Sequence, residues 1–436
     1  MQSKPAQIEV SPALGIEQSI GRKVVFRLVF PSALFILIGA IDRTNVGFAA
    51  LQMNADLGLS PSQYGFGAGI LFLGYVIAKY PSVLLFEAWG IRRWLASITL
   101  GWGLAAAALA GIENAGQLFF LRFLIGFLEG GLSSGLMLYL AGWAPDRWRA
   151  TILALPIMSV NISQVIGGPA AGLLMEMENP LGIDGWRFMF LIEALPALAL
   201  AVFALFYFPD SPARVKWLTG QEVRWLADNV KGPAKPHDQA GRAARWAILK
   251  SPTGWTCALI WYCILASNYG MIYWLPTIIR GVSGLSATET GLVIALPNIA
   301  SAIGLVLNAR HSDRTGERPL HVAIPALIGG FGLLGAYFAG AGLPGLLLLI
   351  LGAGCTGCTV AAFWAIPMKI IPPQSLAMGV VLINMFGSFA GATIPFAMGW
   401  LNERTGSFLA PTLLMTGIAV LCAALCMSMR RQLRHL

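Results

Sequence analysis

The chain has 436 residues, of which 57% are hydrophobic and only 11% charged, with 29 Lys and Arg against 20 Asp and Glu for a net charge of +9. Soluble domains carry about a quarter charged residues, so this composition excludes a single soluble core. Transmembrane strands need short segments of alternating polarity. None are visible, and the chain reads as an all-α integral membrane protein surrounded by the lipid bilayer.

Residues 1–25 form a polar tail whose first 21 residues lack the apolar core of a cleavable signal peptide. Twelve apolar runs follow, each long enough to cross about 30 Å of hydrocarbon as a helix. They lie near 26–51, 62–87, 92–112, 117–142, 149–174 and 187–208, then near 254–280, 288–310, 319–341, 344–371, 376–401 and 408–430. Residues 26–208 thus make one six-helix half and residues 254–430 a second, with a short tail at 431–436. Between them lies the longest polar segment, 209–253. It opens with Pro209-Asp210-Ser211-Pro212, continues through Lys231-Gly232-Pro233 and Lys235-Pro236, and between Thr219 and Val230 has the pattern of a short amphipathic helix. Two parallel halves of six spans place a solute site at their interface.

The basic residues are unevenly placed. Arg92, Arg93, Arg147, Arg149, eight Lys or Arg between 214 and 250, Arg310, Arg314 and Arg318 fall in loops on the side of the termini, whereas the other side holds only Arg187, Arg280 and Arg404. This bias predicts cytoplasmic termini in a cell membrane, the inner membrane of a bacterium. The positive charge is therefore a topology signal, and no nucleic acid partner is expected.

Five charges, Asp42, Arg43, Lys79, Arg122 and Glu129, lie inside the spans. A charge at membrane depth costs at least about 2.5 kcal/mol, so it lines a water-filled cavity, pairs with a partner or handles an ionic substrate. Arg43 precedes the outer end of span one by about seven residues, and Arg122 follows the outer start of span four by about five. At 1.5 Å per residue both fall about 8–11 Å from their helix ends, a placement that predicts a two-cation clamp for a carboxylate. Asp42 and Arg43 diverge by about 100° on a helix, and Glu129 lies two turns deeper than Arg122 on the same face. Asp42 and Glu129 are candidates for a proton-coupling pair, with a static ion-pair network as the alternative. Lys79, one turn past Tyr75, supplies a third cation for a second carboxylate or pairs with Asp42 or Glu129. Tyr75 is a candidate hydroxyl donor to substrate. Asn268, Tyr269 and Tyr273 of span seven are weaker polar candidates, and Glu193 is expected to hydrogen-bond a neighbouring helix. Cys355 and Cys358, a CxxC without His or acidic companions, read as small packing residues.

Two hinges occupy matching places in the halves: Leu85–Arg93 (LFEAWGIRR) and Asn308–Arg318 (NARHSDRTGER). The second resembles the cytoplasmic gate motif of the major facilitator superfamily, with Asp313, Arg314, Gly316 and Arg318 in register. The first departs from it, with Glu87 where the acid is expected and Ala88 where a base is usual. Ile41–Asn45 (IDRTN), Gly185–Pro196 (GWRFMFLIEALP), Arg122 with Glu129, and Asn384 with Gly387 resemble the anion:cation symporter family within that superfamily.

The resemblance implies a fold of two pseudo-symmetric six-helix halves and uptake of organic anions coupled to protons, with Asp42 and Glu129 as the coupling pair. It also implies Gln164, Trp364 and Asn384 as substrate contacts, while an acid or amide is usual at the position of Lys79. The expected substrate is a small hydroxylated carboxylate, a tartrate-like dicarboxylate or a sugar acid; an aromatic carboxylate of phthalate or hydroxyphenylacetate type is the runner-up. Organic-anion exchange and a transporter-like nutrient sensor remain as further readings. No nucleotide-binding loop, metal-ligand cluster or nucleophile–base constellation is present. His237, His311, His321 and His435 lie in cytoplasmic regions or at helix ends. The chain is therefore expected to be no enzyme, without catalytic or metal residues or a cofactor, driven by the proton gradient and acting as a monomer.

Overall fold

The computed structural model describes residues 12–145, 147–230 and 247–433. Lys231 to Pro236, His237 and His435 lie outside the described residues. Within them the chain is helical, with no strand. In chain order the helices are α1 Pro12–Val24, α2 Phe30–Thr44, α3 Val46–Asp56, α4 Pro61–Ala108, α5 Ala115–Glu129, α6 Leu132–Ala141, α7 Arg149–Glu176 and α8 Gly185–Tyr207. The linker contributes α9 Gly220–Asn229. Then follow α10 Pro252–Ser283, α11 Ala287–Thr315, α12 Pro319–Ala339, α13 Leu343–Gly357, α14 Thr359–Ile370, α15 Pro373–Thr405 and α16 Leu409–Leu433.

Eleven helical stretches among the described residues are long and apolar enough to cross a membrane. One of them, Pro61–Gly111, carries a kink at Gly90, whose φ of 74° only glycine adopts readily. It therefore supplies spans two and three, and the chain crosses twelve times. Gly316, at φ 70°, ends α11 at the matching hinge of the second half. Polar caps start the helices where the loops end: Ser60 with Gln63 and Ser286 with Glu289 form capping boxes. Thr219 with Glu222 does the same for α9, inside the stretch predicted as an amphipathic helix.

Three spans are broken. The first changes from α2 to α3 at Asn45, the fourth from α5 to α6 at Gly130 and Gly131, and the tenth from α13 to α14 at Cys358. Interrupted helices at membrane depth are tolerated where protein or a water-filled cavity receives the freed backbone groups.

The apolar core shows how the halves meet. Its linker-side portion in the first half, including Phe35, Trp94, Trp102, Leu136 and Phe208, forms its own cluster. The portion at the far end, including Phe48, Tyr64, Phe72 and Trp186, merges with the second half through residues such as Tyr273, Trp274 and Ile394. Backbones approach closely there: a Cβ on Gly65 would strike Pro395 O, one on Gly69 Ala392 O, and one on Gly172 Ala287 O. Hydrogen bonds between the halves run from Ser60 Oγ to Glu403 at the far end (2.9 Å) to Tyr273 with Arg43 O (3.1 Å) and Asn298 with Gln164 O (2.9 Å) at mid-depth. The two halves are closed at the far end and part towards the linker.

Candidate functional site

Four of the five intramembrane charges, Asp42, Arg43, Arg122 and Glu129, converge on the breaks in spans one and four. Arg43, near the end of α2, donates from Nη1 to Oε2 of Glu129, the last residue of α5, at 2.9 Å. Glu129 is wholly buried, the Arg43 side chain is 17% exposed, and Glu129 Oε1 has no hydrogen-bond partner. The pair therefore holds one half-satisfied carboxylate against one partly accessible guanidinium.

Arg122 is placed differently from the expected clamp. Its side chain is 0% exposed, Nη1 donates to Asp42 O at 3.3 Å, and Nη2 donates to Arg43 O at 3.2 Å. Tyr273 Oη donates to the same Arg43 carbonyl at 3.1 Å, and Tyr64 Oη to Tyr273 O at 2.6 Å. The reason lies in the length of span one. It continues to Asp56 instead of ending near 51, so Arg43 sits about 20 Å from its outer end, whereas Arg122 is about 10 Å from the start of α5. Arg43 is thus level with Glu129. Arg122 reaches backbone oxygens at the helix break, buried acceptors that need a donor.

Asp42 turns away from Arg43. Its Oδ2 accepts from Trp102 Nε1 of span three at 2.8 Å, while Oδ1 has no partner. Glu193 accepts from Asn45 Nδ2 at 2.9 Å, the neighbouring-helix hydrogen bond expected of it. Lys79 pairs with neither Asp42 nor Glu129. Its Nζ lies 5.2 Å from the Tyr75 ring centroid, and it makes no ion pair among the described residues. Tyr75 and Tyr269 both lie within electrostatic range of Arg43, and the Tyr269 ring is 4.4 Å from that of Phe72.

In the second half, Trp364 is partly exposed and meets Trp261 edge-on at 5.1 Å. Asn384 and Asn268 are partly exposed, and each donates its amide to a carbonyl one turn earlier, Val380 O and Ile264 O, both at 2.9 Å. The side chain of Gln164 is partly exposed, and its backbone carbonyl receives Asn298. Cys355 and Cys358 are free thiols, and no group of three His, Cys, Asp or Glu among the described residues could hold a metal.

The gate-motif residues lie at the linker end. Arg318 pairs with Asp313 at 2.6 Å and donates to Ser312 Oγ at 3.0 Å, while Glu317 pairs with Arg430 at 3.2 Å. Arg314 is exposed. In the first hinge Arg92 donates to Phe208 O and lies 3.9 Å from Asp210. Each hinge binds within its own half or to the linker, in keeping with the parted halves.

Trp102, Asn45 and Tyr64 were not anticipated as parts of this network. For Trp102 a signal existed: a buried indole N–H in an apolar span must find an acceptor. Asn45 stood only as the last residue of the IDRTN stretch, and Tyr64 carries no comparable mark.

Comparison with known proteins agrees with this architecture. The family model of the Major Facilitator Superfamily matches residues 32–395. A protein of Agrobacterium vitis described as "Putative tartrate transporter" is 38% identical, with 95% of this chain and 92% of the relative covered. A quinolone resistance transporter of Acinetobacter baumannii is 34% identical over 91% of this chain and 92% of its own. Among solved structures, a bacterial homologue of the human lysosomal transporter Spinster, in an inward-facing and unoccupied conformation, superposes with a TM-score of 0.79 at 16% identity, covering 94% of this chain and 97% of that one. With its two six-span halves and a family match across most of its length, the chain belongs to the major facilitator superfamily and is a multi-pass membrane transporter, not an enzyme.

Proposed function

We propose that this transporter is a proton-coupled symporter that imports a small organic anion by alternating access, as a member of the anion:cation symporter family. The observation that carries the reading is the Arg43–Glu129 pair, buried at two helix breaks at the depth where the halves begin to part. While Glu129 is ionised, Arg43 is held by it. A proton on Glu129 removes that charge and leaves the guanidinium without a counter-ion, which is costly in a low-dielectric site. A substrate carboxylate replaces it, accepted by the planar fork of Arg43. Proton and anion therefore occupy the site together or leave it together, the condition for symport in the same direction.

The other candidates take subsidiary places. Tyr75 and Tyr269 flank Arg43, while Asn384, Trp364 and Gln164 offer polar and aromatic contacts from both sides of the opening. Asp42, beside Trp102, is the second proton-coupling carboxyl, and Arg122 secures the broken helix that presents Arg43. The excess of basic residues on the linker side supports cytoplasmic termini in a bacterial inner membrane. With that orientation the described state is open to the cytoplasm, and Asp313, Arg314, Gly316 and Arg318 flank its mouth as the gate. One chain encloses the whole path, so a monomer suffices, and the proton gradient supplies the drive without a cofactor.

The names of the Agrobacterium relatives support a hydroxylated carboxylate as substrate, either tartrate-like or a sugar acid. The cluster of Trp261, Phe363 and Trp364, with centroids 5.0–5.5 Å apart, favours an aromatic carboxylate as the second reading. Reconstitution into liposomes tests the proposal. Wild-type protein should accumulate labelled tartrate when the outside is made acidic. Glu129→Gln should abolish accumulation and retain counterflow exchange. Proton-driven accumulation by Glu129→Gln, or failure of every organic anion to exchange through the wild type, overturns it.

A further inference from the structure

Lys79 has no place in the proton–anion exchange described above. Its position follows from a continuous stripe on α4. Gly65, Gly69 and Phe72 face span eleven: their approaches are to Pro395, Ala392 and Gly391 of the antiparallel α15. Continued at helical spacing towards the linker, this stripe passes Val76 and reaches Lys79, which lies within about 20° of Phe72. The same extrapolation on α15, from Gly391 past Ser388, reaches Asn384. Both residues are two turns, about 10 Å, beyond the last close contact between the helices. Helical spacing therefore puts Lys79 and Asn384, one on each half, on the facing stripes of α4 and α15, and both are partly exposed.

The charges around the opening can be balanced. Arg122 is sealed beneath two carbonyl oxygens, and Asp42 is turned to Trp102. Among the five intramembrane charges, the cations left for a solute are Arg43 and Lys79, and the acid paired with Arg43 is Glu129. Lys79 makes no hydrogen bond or ion pair among the described residues; its Nζ bends back to 5.2 Å from the ring of Tyr75, one turn earlier on the same helix. Once Glu129 takes a proton, two positive charges confront the substrate. A monocarboxylate neutralises one of them. A compact dicarboxylate neutralises both, one carboxylate on Arg43 and the other on Lys79.

Building on the symport reading, we infer that Lys79 is the subsite for a second carboxylate, and that the carrier selects a small dicarboxylate over the corresponding monocarboxylate. Asn384 closes on that carboxylate when the halves come together at the linker end. Selection and closure are thereby linked, since the dianion is the solute that draws a residue of each half towards it.

The test compares L-tartrate with D-glycerate, a hydroxylated monocarboxylate, on the purified full-length protein. Dissociation constants are read by thermal stabilisation and by inhibition of counterflow. The wild type should bind tartrate at least about tenfold more tightly than glycerate, the scale of one modest charge contact. Lys79→Gln should bring that ratio to within about twofold of unity, and Lys79→Arg should retain most of it. Measurable glycerate binding in each variant reports that it is folded. A wild type that binds glycerate as well as tartrate overturns the inference and leaves organic-anion transport standing. So does a tartrate preference that persists in Lys79→Gln. If neither anion binds the wild type, the hydroxylated-carboxylate reading fails, and the dicarboxylate subsite with it.

Discussion

Trp102 Nε1 donates to Asp42 Oδ2 at 2.8 Å, and this is the hydrogen bond that holds an otherwise unpartnered carboxyl in the core of the first half. Asp42 is 2% exposed and Trp102 0%. The bond ties span one to span three and fixes the direction of Asp42, leaving the next residue, Arg43, to face Glu129. Trp102→Phe keeps most of the ring volume and removes the donor. Leaving a buried acceptor unmade costs about 1–3 kcal/mol, so the thermal midpoint in detergent should fall. In a double-mutant cycle with Asp42→Leu the losses should be less than additive, because both changes remove the same bond. Full additivity would show that the two side chains act independently.

Arg122 should behave as a structural cation. Its two Nη groups bridge consecutive carbonyls at the break between α2 and α3. A lysine ammonium keeps the charge and loses the fork. Arg122→Lys should therefore lower the thermal midpoint of the substrate-free protein, at about 1–2 kcal/mol for the lost hydrogen bonding. If instead the substrate-free midpoint is unchanged and tartrate affinity falls about tenfold or more, Arg122 contacts substrate and the two-cation clamp returns.

The spans were legible because the bilayer imposes a length and a polarity on each of them. The kink at Gly90 and the left-handed Gly316 were visible as Gly-containing hinges at matching places. The depth of Arg43 was not legible. Polar residues such as Gln52, Asn54 and Asp56 made the end of span one look earlier than it is, yet Gln52 is held by Trp186 N at 3.0 Å and Asp56 by the Trp186 indole at 3.2 Å. Tertiary partners thus lengthen a helix that hydropathy cuts short, and a five-residue error in its end moves a guanidinium by more than a turn. The partners of Asp42 and Glu193 come from other spans, and no periodicity within one helix encodes which span lies beside it.

Closure at the far end depends on small residues along α4 and α15. A Cβ on Gly65 would strike the Pro395 carbonyl, and one on Gly69 that of Ala392. Backbone atoms cannot swing aside as a side chain can, so the helices must separate. Gly65→Ala with Gly69→Ala should shift the population away from the far-end-closed state. Spin labels at Ser62 and Arg404, read by pulsed dipolar spectroscopy, should show a longer distance in the double variant than in the parent. An unchanged distance distribution would mean that the glycines do not limit the approach.

The linker docks on the first helix through one carboxylate. Glu222 Oε1 accepts from Ser19 Oγ at 2.6 Å, Lys23 Nζ lies 2.7–2.8 Å from both carboxylate oxygens, and Oε2 caps α9 by accepting from Thr219 N at 2.8 Å. Burial pushes the Glu222 carboxyl up, but the hydrogen bonds from Lys23, Ser19 and Thr219 outweigh it and hold it at about 2. A carboxyl depressed in the docked state stabilises docking fully above its undocked value of about 4.3. That contribution declines as pH falls below this value and is lost by about pH 2. The distance between labels at Gln18 and Asp228 should therefore stay fixed from pH 7 to about 4.5 and broaden steadily below it. Glu222→Gln should broaden it already at pH 7 and remove the dependence between about pH 4.5 and 2. If the variant keeps the wild-type distance at neutral pH, the carboxylate does not anchor the linker to α1.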